Sequence, residues 1–541
     1  MTSFAPPVGI GRAPGWRAGH LSPAFEAGQI AEVLHQFREP LHIVGGGPAG
    51  ALGVARGGEM IMTEAVDFPL IGTLPPMYPE WLGDRAFCEA HGVRFPYVAG
   101  EMAHGIATTQ LVIAMARADM LAMFGAAGLS LGSVERAVHE LAGVLGDRSA
   151  WGVNLIYSPG EPALEEQVAN LLLRSRIRII SVSAYMDITL PLARCAAAGL
   201  RLDPTGRIVR PVQIFAKVSR PEVAQKFMSP APAELLSALV ARGQLSQEEA
   251  RLAAMVPVAE DVTVEADSGG HTDNQPLGAM LPAILELRDD VAERFGYRRR
   301  IRVGAAGGLG CPRTLASAFA LGAAYVLTGS VNQLAVESGI SDDARSLLAR
   351  ADLADVMMAP DADMFEMDVR VQVLRRGTMF APRALRLYEV YRSHASIESI
   401  APELRGTLER DVLHASLDQI WAETRSYWHH RDPNELVRAE QDPKHRMALI
   451  FRWYLGKSSR WAIEGDTARR TDYQLWAGPA LGAFNRWTAG SFLAAPEERT
   501  VTQIALNLLE GAAVATRAHQ ARTFGVPVPS EAFTFVPRRL C

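Results

Sequence analysis

The chain has 541 residues, of which 48% are hydrophobic and 21% are charged, and its formal net charge is −5 at pH 7. This size and balance are typical of a folded protein with two or three domains, or of one barrel with additions. The slightly acidic charge does not favour nucleic acid or an anionic membrane surface as a partner. The four cysteines lie far apart without a Cys-x-x-Cys motif, which argues against a disulfide framework and a structural zinc site. Because the amino terminus also lacks a basic region followed by an apolar one, we expect a cytoplasmic protein without a secretory signal.

Residues 1–90 are interpreted as an N-terminal segment that contains a β-hairpin. The stretch Gly-Gly-Gly-Pro-Ala-Gly at 45–50 follows an apolar run and matches the Gly-x-Gly-x-x-Gly fingerprint of dinucleotide-binding folds. That alternative requires a helix after the glycines, but three more glycines follow within eight residues, and each destabilises a helix by about 1 kcal/mol. The pattern therefore favours a hairpin of Leu41–Val44 and Leu52–Ala55 around a glycine turn.

Residues 97–333 repeat an apolar β-like run followed by an amphipathic segment eight times, which is the number that a (β/α)8 TIM barrel requires. We assign residues 91–345 to this α/β barrel. The strands are predicted at Tyr97–Glu101, Met120–Phe124, Gly152–Tyr157, Arg178–Val182, Val212–Val218, Val262–Ala266, Ile301–Ala305 and Ala324–Thr328. The helices are predicted to begin near Thr108, Ser133, Pro162, Thr189, Pro221, Leu277, Arg313 and Asp342.

The fifth unit of the repeat is longer than the others, and residues 221–256 are predicted to form a helical insertion. Two helix-like pieces in it, Pro232–Gly243 and Ser246–Met255, could serve as a lid or as a partner surface. The uncharged stretch Leu315–Val336 resembles a membrane span in length, but glycine and amide residues interrupt it. We interpret it as buried core of the barrel.

Residues 346–541 are predicted to form a mostly helical C-terminal domain that could act as a substrate lid. This part of the chain holds six of the nine tryptophans, which we interpret as core or interface residues rather than as a stacking site. Two glycine-containing loops, Gly377–Phe380 and Trp476–Gly482, could reach over the mouth of the barrel.

The ends of strands seven and eight of the predicted barrel are rich in glycine. The seventh strand ends in Ala306-Gly-Gly308 with a further glycine at 310, and the eighth ends in Thr328-Gly329-Ser330. A phosphate requires several backbone N–H donors that side chains do not obstruct, and barrels of this kind bind phosphate at these two turns. We therefore predict a phosphate site formed by Ala306, Gly307, Gly308, Gly329 and Ser330. Cys311 could be a nucleophile, but its place before Pro312 at a helix start favours an inert residue.

The sixth strand ends in Ser268-Gly-Gly-His271, and the two glycines place the histidine at the barrel mouth. His271 could donate a hydrogen bond or a proton to a substrate carbonyl or carbanion. Glu265 and Asp267 lie at the same strand end, where either could bond a nitrogen of a ring cofactor or serve as a barrel-layer carboxylate.

Three further positions could contact a ring cofactor. Lys217, near the end of strand five, could stabilise negative charge on a reduced ring, or it could pair with a barrel carboxylate. Asn154 on strand three could bind the edge of the ring, and the backbone of Met102 and Ala103 after strand one could touch it. His104 in the same loop is a weaker candidate acid.

Taken in order, these motifs resemble those of FMN-dependent barrels, a superfamily that includes flavin enoyl-acyl-carrier-protein reductases and nitronate monooxygenases. Over nearly its whole length, the chain more closely resembles the trans-acting, PfaD-type enoyl reductases of polyunsaturated-fatty-acid synthases and trans-acyltransferase polyketide assembly lines. The phrases of that type are Lys217–Ala224, Phe227–Pro232, Asp442–Met447 and Phe451–Leu455.

The resemblance implies FMN at the barrel rim, NADPH as reductant and an α,β-unsaturated acyl-carrier-protein thioester as substrate. It places His271 beside the flavin, Asn154 and Lys217 in contact with the flavin, and Gly308, Gly329 and Ser330 at its phosphate; the acid is expected to be His271 or a bound water. Met102, Ala103, Glu265 and the backbone of Ser268, Gly269 and Gly270 complete the expected cofactor site, in which no metal is expected. The expected partners are a carrier protein and synthase modules, and a homodimer stays open. The alternatives are a nitronate-oxidising flavoenzyme and a non-catalytic docking subunit of an assembly line.

Overall fold

The computed structural model describes residues 14–540 except residues 63–65, 67, 147, 149 and 159. The first 13 residues of the predicted N-terminal segment and Cys541 therefore lie outside the described residues. The chain divides into two compact units. The first unit comprises the described residues up to Leu82, Pro312–Ala320 and the described residues from Ala505 onward, and the second comprises Gly83–Cys311 and Leu321–Ile504. The domain boundaries at residues 90 and 345 stay predictions.

The strands, in chain order, are β1 Pro14–Arg17, β2 Leu41–Val44, β3 Gly53–Arg56, β4 Glu59–Met62, β5 Phe68–Leu74, β6 Tyr97–Ala99, β7 Leu121–Phe124, β8 Trp151–Ile156, β9 Ile179–Ser183, β10 Arg201–Leu202, β11 Ile208–Val209, β12 Gln213–Val218, β13 Asp261–Glu265, β14 Gly270–His271, β15 Arg302–Ala306, β16 Val326–Thr328, β17 Val356–Pro360 and β18 Arg370–Leu374.

The α-helices, in chain order, are α1 Ala27–Leu34, α2 Arg85–His91, α3 Thr109–Arg117, α4 Leu131–Leu145, α5 Pro162–Arg174, α6 Leu190–Ala197, α7 Pro221–Met228, α8 Ala233–Ala241, α9 Gln247–Ala253, α10 Leu277–Phe295, α11 Pro312–Ala320, α12 Asp342–Leu348, α13 Phe380–Ser393, α14 Pro402–Thr407, α15 Leu417–Arg431, α16 Pro433–Gln441, α17 Pro443–Glu464, α18 Pro479–Thr488 and α19 Val501–Thr523.

The second unit is built on a closed parallel barrel of eight strands, in the order β6-β7-β8-β9-β12-β13-β15-β16. All eight strands predicted from the sequence are present within two residues at each end, and so are the starts of the eight predicted helices. The predicted (β/α)8 class is therefore confirmed, and it follows from apolar runs that are buried on both faces of a parallel sheet. The mostly helical C-terminal region is confirmed as well, with helices α13 to α19.

Four helices of the barrel, α3, α4, α6 and α12, begin where a serine or threonine side chain caps them. Thr108 accepts the N–H of Leu111 at the start of α3, and Thr189 does the same for Leu192 at the start of α6. Such caps satisfy backbone N–H groups that have no partner within the helix, and each typically contributes about 1 kcal/mol. Because a cap fixes where each helix begins, it also fixes the length of the loop at the carboxyl end of the preceding strand.

The predicted insertion does contain two helices, α8 and α9, but they do not lie where a lid would. Both helices pack against α6, and α9 also contacts β10. They follow α7, so the chain has already passed along the outside of the barrel when the insertion begins. This position corrects the interpretation of the insertion as a lid over the mouth. An apolar groove of about 450 Å³ lies between α8 and α9.

The first unit contains a five-stranded antiparallel sheet in the order β3-β2-β5-β1-β4. Strands β2 and β3 pair with Leu41 opposite Arg56 and Val44 opposite Gly53, so the predicted glycine-turn hairpin is confirmed and the dinucleotide-binding alternative is excluded. Within this unit, Arg38 forms two hydrogen bonds of 2.6 Å with the buried carboxylate of Glu510. Among the described residues, none of the helices combines the length and apolar character of a membrane span.

Candidate active site

The loop after β15 is a turn that only glycine can make. Gly307 and Gly308 have φ angles of 85° and 70°, a region that side-chain-bearing residues rarely adopt. A β-carbon on Gly307 would lie 2.6 Å from the carbonyl group of Ala266, whereas one on Gly308 would meet nothing within 4 Å. The turn therefore packs its first glycine against the end of β13 and leaves open space at its second.

The loop after β16 has a similar opening. A β-carbon on Gly329 would also meet nothing within 4 Å, and a short 3₁₀ helix, Ser330–Leu334, begins at the next residue. Asn332 holds this turn by donating its side-chain amide to the backbone oxygen of Thr328 at 2.8 Å. Two backbone turns at neighbouring strand ends thus face space that no side chain fills, as a phosphate site at this rim requires.

A loop from the C-terminal region lies over these two turns. It comprises residues 476–482 and is called the clamp loop from here on. Gln333 donates its side-chain amide to the backbone oxygen of Trp476 at 2.5 Å, and the backbone N–H of Gly478 donates to Ser330 Oγ at 3.3 Å. The prediction that this loop reaches the barrel mouth is confirmed. The other predicted loop, Gly377–Phe380, instead bonds to the backbone of residues 471 and 473.

The clamp loop approaches the barrel so closely that glycine is required on the barrel side. A β-carbon on Gly269 would lie 2.8 Å from the backbone nitrogen of Ala477, and one on Gly310 would lie 1.9 Å from the backbone oxygen of Ala480. The ring of Trp476 also stacks on His104 from the loop after β6, with the ring centroids 5.6 Å apart and the planes 8° apart. Burial lowers the pKa of His104, and the charge of Arg431 lowers it further. A lowered pKa and stacking against an indole ring favour a packing role for His104 over the role of an acid.

His271 forms a short strand, β14, at the mouth of the barrel. This strand pairs antiparallel with β18, with Gly270 opposite Gln372 and His271 opposite Val371. Gln372 also donates its side-chain amide to Asp267 Oδ1 at 2.5 Å and to the backbone oxygen of Ser268 at 2.8 Å. Strand β18, through its backbone pairing and the side chain of Gln372, thus holds the loop from Asp267 to His271.

The His271 side chain is 45% exposed, and its Nε2 lies 3.6 Å from Oδ2 of Asp361, a carboxylate that the sequence analysis did not single out. Burial lowers the pKa of His271, but the nearby carboxylate of Asp361 outweighs burial, so the pKa is raised. The pKa of Asp361 is lowered, because the nearby His271 and the backbone N–H groups of Asp363 and Met364 outweigh its burial. The two side chains therefore favour each other's charged forms, an imidazolium and a carboxylate. A polar residue directly after the apolar run 356–360 was the available signal for Asp361.

Lys217 lies between two carboxylates inside the barrel. Its Nζ is 3.0 Å from Glu265 Oε1 and 3.4 Å from Glu101 Oε1, and its side chain is only 12% exposed. Burial lowers the pKa of Lys217, but the two carboxylates outweigh burial and raise it well above its ordinary value. Glu265 is therefore a partner of Lys217. Both oxygens of Glu101 are buried, and neither accepts a hydrogen bond from the residues that the structure describes.

Asn154 and the Met102–Ala103 backbone occupy the remaining predicted positions. Asn154 is 2% exposed on β8, and its amide nitrogen donates to the backbone oxygen of Ser181 at 3.3 Å and to Ser183 Oγ at 3.1 Å. Met102 accepts the backbone N–H of Ala107 at 3.2 Å, which closes the loop after β6 into a tight turn. These residues lie at the carboxyl ends of strands one and three, as predicted, and their roles toward a cofactor stay predictions.

The polar groups at the mouth of the barrel fit FMN. Backbone turns that open at Gly308 and Gly329 suit its phosphate, and the N–H groups there are not obstructed by side chains. The buried ammonium of Lys217 and the amide of Asn154 suit the polar edge of a flavin ring. No group of three or more His, Cys, Asp and Glu side chains among the described residues is arranged to hold a metal ion.

Comparison with known proteins adds the family. The solved enoyl reductase domain of MlnA, from the macrolactin biosynthesis cluster of Bacillus amyloliquefaciens, is 34% identical, with a TM-score of 0.78 over 82% of this chain and 99% of that domain. Polyketide biosynthesis protein PksE of Bacillus subtilis (strain 168) is 41% identical over 80% of this chain and 56% of PksE. One of the polyunsaturated fatty acid synthase proteins of Thraustochytrium sp. is 43% identical over 82% of this chain.

The chain covers only part of these curated relatives, 56% of PksE and 30% of the Thraustochytrium synthase protein. Residues 394–473 separately match the model of the inserted helical domain of [acyl-carrier-protein] S-malonyltransferase. The fold defines a (β/α)8 barrel protein with an added helical region. Within that class, the chain belongs to the PfaD-type enoyl reductases of polyunsaturated-fatty-acid and polyketide synthases.

Proposed function

We propose that the chain is an FMN-dependent enoyl reductase, driven by NADPH, that acts in trans on α,β-unsaturated acyl-carrier-protein thioesters in polyketide or polyunsaturated fatty acid biosynthesis. The observation that carries the proposal is that His271, beside Asp361, and two open glycine turns lie at one barrel mouth, in a member of an enoyl reductase family. The carrier protein and the synthase modules are the proposed partners, because the relatives are named as polyketide and fatty acid synthase proteins.

Each part of the mouth has a separate task in this proposal. The backbone at Gly307, Gly308, Gly329 and Ser330 would bind the phosphate of FMN, and the ammonium of Lys217 and the amide of Asn154 would bind the ring edge, with Met102 and Ala103 against its face. The chemistry that bound FMN supplies is hydride transfer from NADPH to the β-carbon of the enoyl thioester. The clamp loop would exclude water from the mouth, since its backbone touches the loops after β13, β15 and β16.

His271 would complete the reduction as the acid. As β-carbon reduction proceeds, negative charge develops on the α-carbon and the thioester oxygen, and a protonated imidazole at the mouth can deliver a proton to that carbon. Because Nε2 faces Asp361, Nδ1 is the ring nitrogen left to donate. Lys217, between two carboxylates, would keep its charge throughout and so acts by electrostatics rather than by proton transfer.

The test is an absorbance spectrum of the purified protein, recorded before and after anaerobic NADPH and then after a crotonyl-type carrier-protein thioester. A yellow protein that NADPH bleaches and the thioester reoxidises without oxygen supports the proposal. Oxygen consumption with a nitronate and without NADPH would instead identify a nitronate-oxidising enzyme. A colourless protein that cannot be reconstituted with FMN, yet binds a carrier protein, would identify a docking subunit.

The His271→Ala variant tests the assigned acid in the same assay. The side chain is 45% exposed and lies at the rim, so its loss should leave FMN content near that of the wild type. Loss of a general acid typically lowers turnover by about a hundredfold or more. Equal turnover in the variant would remove His271 from the reaction while leaving the flavin assignment intact.

A further inference from the structure

The carboxylate beside His271 is held in one position by its own turn. Asp361 follows β17 directly, and its Oδ2 accepts the backbone N–H groups of Asp363 and Met364, both at 3.0 Å. The backbone N–H of Asp361 donates to the oxygen of Val369 at 2.9 Å. The side chain is only 9% exposed. An aspartate with two backbone donors on one oxygen has little rotational freedom, so its charge stays at one point in the mouth.

The same hairpin also fixes the histidine. Strand β18 pairs with β14 on one side and with β17 on the other, and Val371 is the partner of both His271 and Ala359. This register brings His271 and Asp361 to the same end of a three-stranded sheet, although 90 positions separate them in the chain. Backbone pairing therefore places both residues at this end of the sheet, and their side chains approach to 3.6 Å from the two sides of β18.

The groups that face His271 are predominantly acidic. Asp361, Asp363 and Glu265 all favour its charged form. Asp363 contributes less than Asp361, because burial and the neighbouring Asp361 raise the pKa of Asp363 itself. Glu265 already has the ammonium of Lys217 as a partner at 3.0 Å. Asp361 is thus the carboxylate whose removal changes the surroundings of His271 most.

We propose that Asp361 is a positioning residue for His271, which holds the imidazole through Nε2 and keeps it protonated so that Nδ1 presents its proton to the substrate. The role of His271 as the acid rests on the proposed function; the coupling between the two side chains does not. In the step itself, the Nδ1–H bond breaks, a C–H bond forms at the α-carbon, and the imidazole becomes neutral. Asp361 stays ionised throughout, and His271 regains its proton from water.

The experiment is an NMR titration of the full-length protein with isotope-labelled histidine, in which the His271 signal is assigned from its absence in His271→Gln. In Asp361→Asn, the His271 midpoint should move to lower pH, because the anion that favours the charged ring is gone. The asparagine oxygen can still accept the N–H groups of Asp363 and Met364, so the turn is kept. An unchanged midpoint in Asp361→Asn overturns the proposal, whatever the protein reduces.

The matched control is Asp368→Asn on the same hairpin, since Asp368 pairs with Arg370 at the surface. This variant should leave the His271 midpoint where it is in the wild type. An equal shift in both variants would mean that the hairpin responds to any lost charge, which also overturns the proposal. If Asp361→Asn fails to fold, Asp361→Ser supplies the same test, because a serine hydroxyl can also accept the turn N–H groups.

The kinetic counterpart is the pH profile of kcat with a carrier-protein thioester. The alkaline limb of the profile should move to lower pH in Asp361→Asn, and kcat at pH 8 should fall about tenfold with little change in KM. A merely structural role would lower kcat equally at all pH values and would contradict the proposal. A shifted NMR midpoint in a protein without reductase activity would support the coupling while refuting the proposed function.

Discussion

Gly310 and Ala480 touch backbone to backbone, since a β-carbon on Gly310 would lie 1.9 Å from the carbonyl oxygen of Ala480. The contact joins the loop after β15 to the first turn of α18, so a main-chain oxygen rather than a movable side chain fills the space. Any residue larger than glycine at position 310 must push the clamp loop away from the barrel mouth.

We therefore expect Gly310→Ala to destabilise the flavin-free protein by about 2 kcal/mol, as overpacking against backbone does. Thermal or urea unfolding measures this change directly. The matched control is Gly143→Ala on α4, where the added methyl meets nothing within 4 Å, and alanine in a helix should stabilise slightly. Equal unfolding curves for Gly310→Ala and the wild type would mean that the clamp loop is not seated as described.

Gly329→Ala should leave the stability of the flavin-free protein unchanged and weaken the binding of FMN. Gly329 has a negative φ of −125°, and its β-carbon would meet nothing within 4 Å, so the flavin-free variant should unfold at the wild-type temperature. The methyl group would occupy the space that we assign to the phosphate, and the Kd for FMN should rise about tenfold or more. Fluorescence titration of the flavin-free protein with FMN measures it. Unaltered FMN affinity would place the phosphate elsewhere.

Lys217→Met should destabilise the protein in a pH-dependent way. The substitution leaves Glu101 and Glu265 facing each other in a largely buried site, which should destabilise the protein by about 3 kcal/mol at pH 8. Protonation of a carboxylate relieves the repulsion, so the loss should be smaller at pH 5.5 in urea unfolding. Lys226→Met, which removes an exposed lysine paired with Asp187, should change stability little at either pH. A loss that does not depend on pH would contradict the carboxylate argument.

Asp261 at the start of β13 should govern acid stability. Its carboxylate is fully buried, with Arg302 at 2.6 Å and His91 at 3.1 Å. Burial raises the pKa of Asp261, but the charges of His91 and Arg302 outweigh burial and lower it to about 2. Because this value lies below the unfolded value of about 3.9, the ionised carboxylate of Asp261 contributes stability above pH 4 that is lost as the pH falls toward 2.

Asp261→Asn should therefore be destabilised by about 2 kcal/mol or more at pH 7, and its difference from the wild type should shrink as the pH falls from 4 to 2. Urea unfolding across that range measures the difference. Asp411→Asn removes a surface partner of Arg410 and is the control that should behave as the wild type. The site lies at the amino-terminal end of the barrel, so FMN bound per folded molecule should stay constant at pH 7.

The barrel could be predicted from the sequence because each of its strands and helices is defined by residues that are neighbours in the chain. Each strand, such as Gln213–Val218, is an apolar run of its own, and each following helix starts at a recognisable cap or proline. The glycine turns after β13, β15 and β16 could be predicted as well, since glycine at a strand end indicates a tight turn whatever the distant parts of the chain are.

The support of the mouth could not be predicted in the same way. Strand β18 joins β17 to β14, and β14 is only two residues long and lies about a hundred residues earlier than β18. Neither the stacking of Trp476 on His104 nor the placement of Asp361 has a local sequence period. Such contacts depend on long-range register, which composition and periodicity do not encode.

The contact of Gly269 with Ala477 has a consequence for how the protein is made. The ribosome synthesises all eight barrel strands before the clamp loop, so the mouth of the nascent barrel lacks the contacts of that loop until residues 476–482 have left the exit tunnel. During that interval the glycine turns are uncovered, and a polypeptide released before Trp476 would carry a barrel that is open to water. The order of synthesis thus makes the closing of the mouth a late event in the life of each molecule.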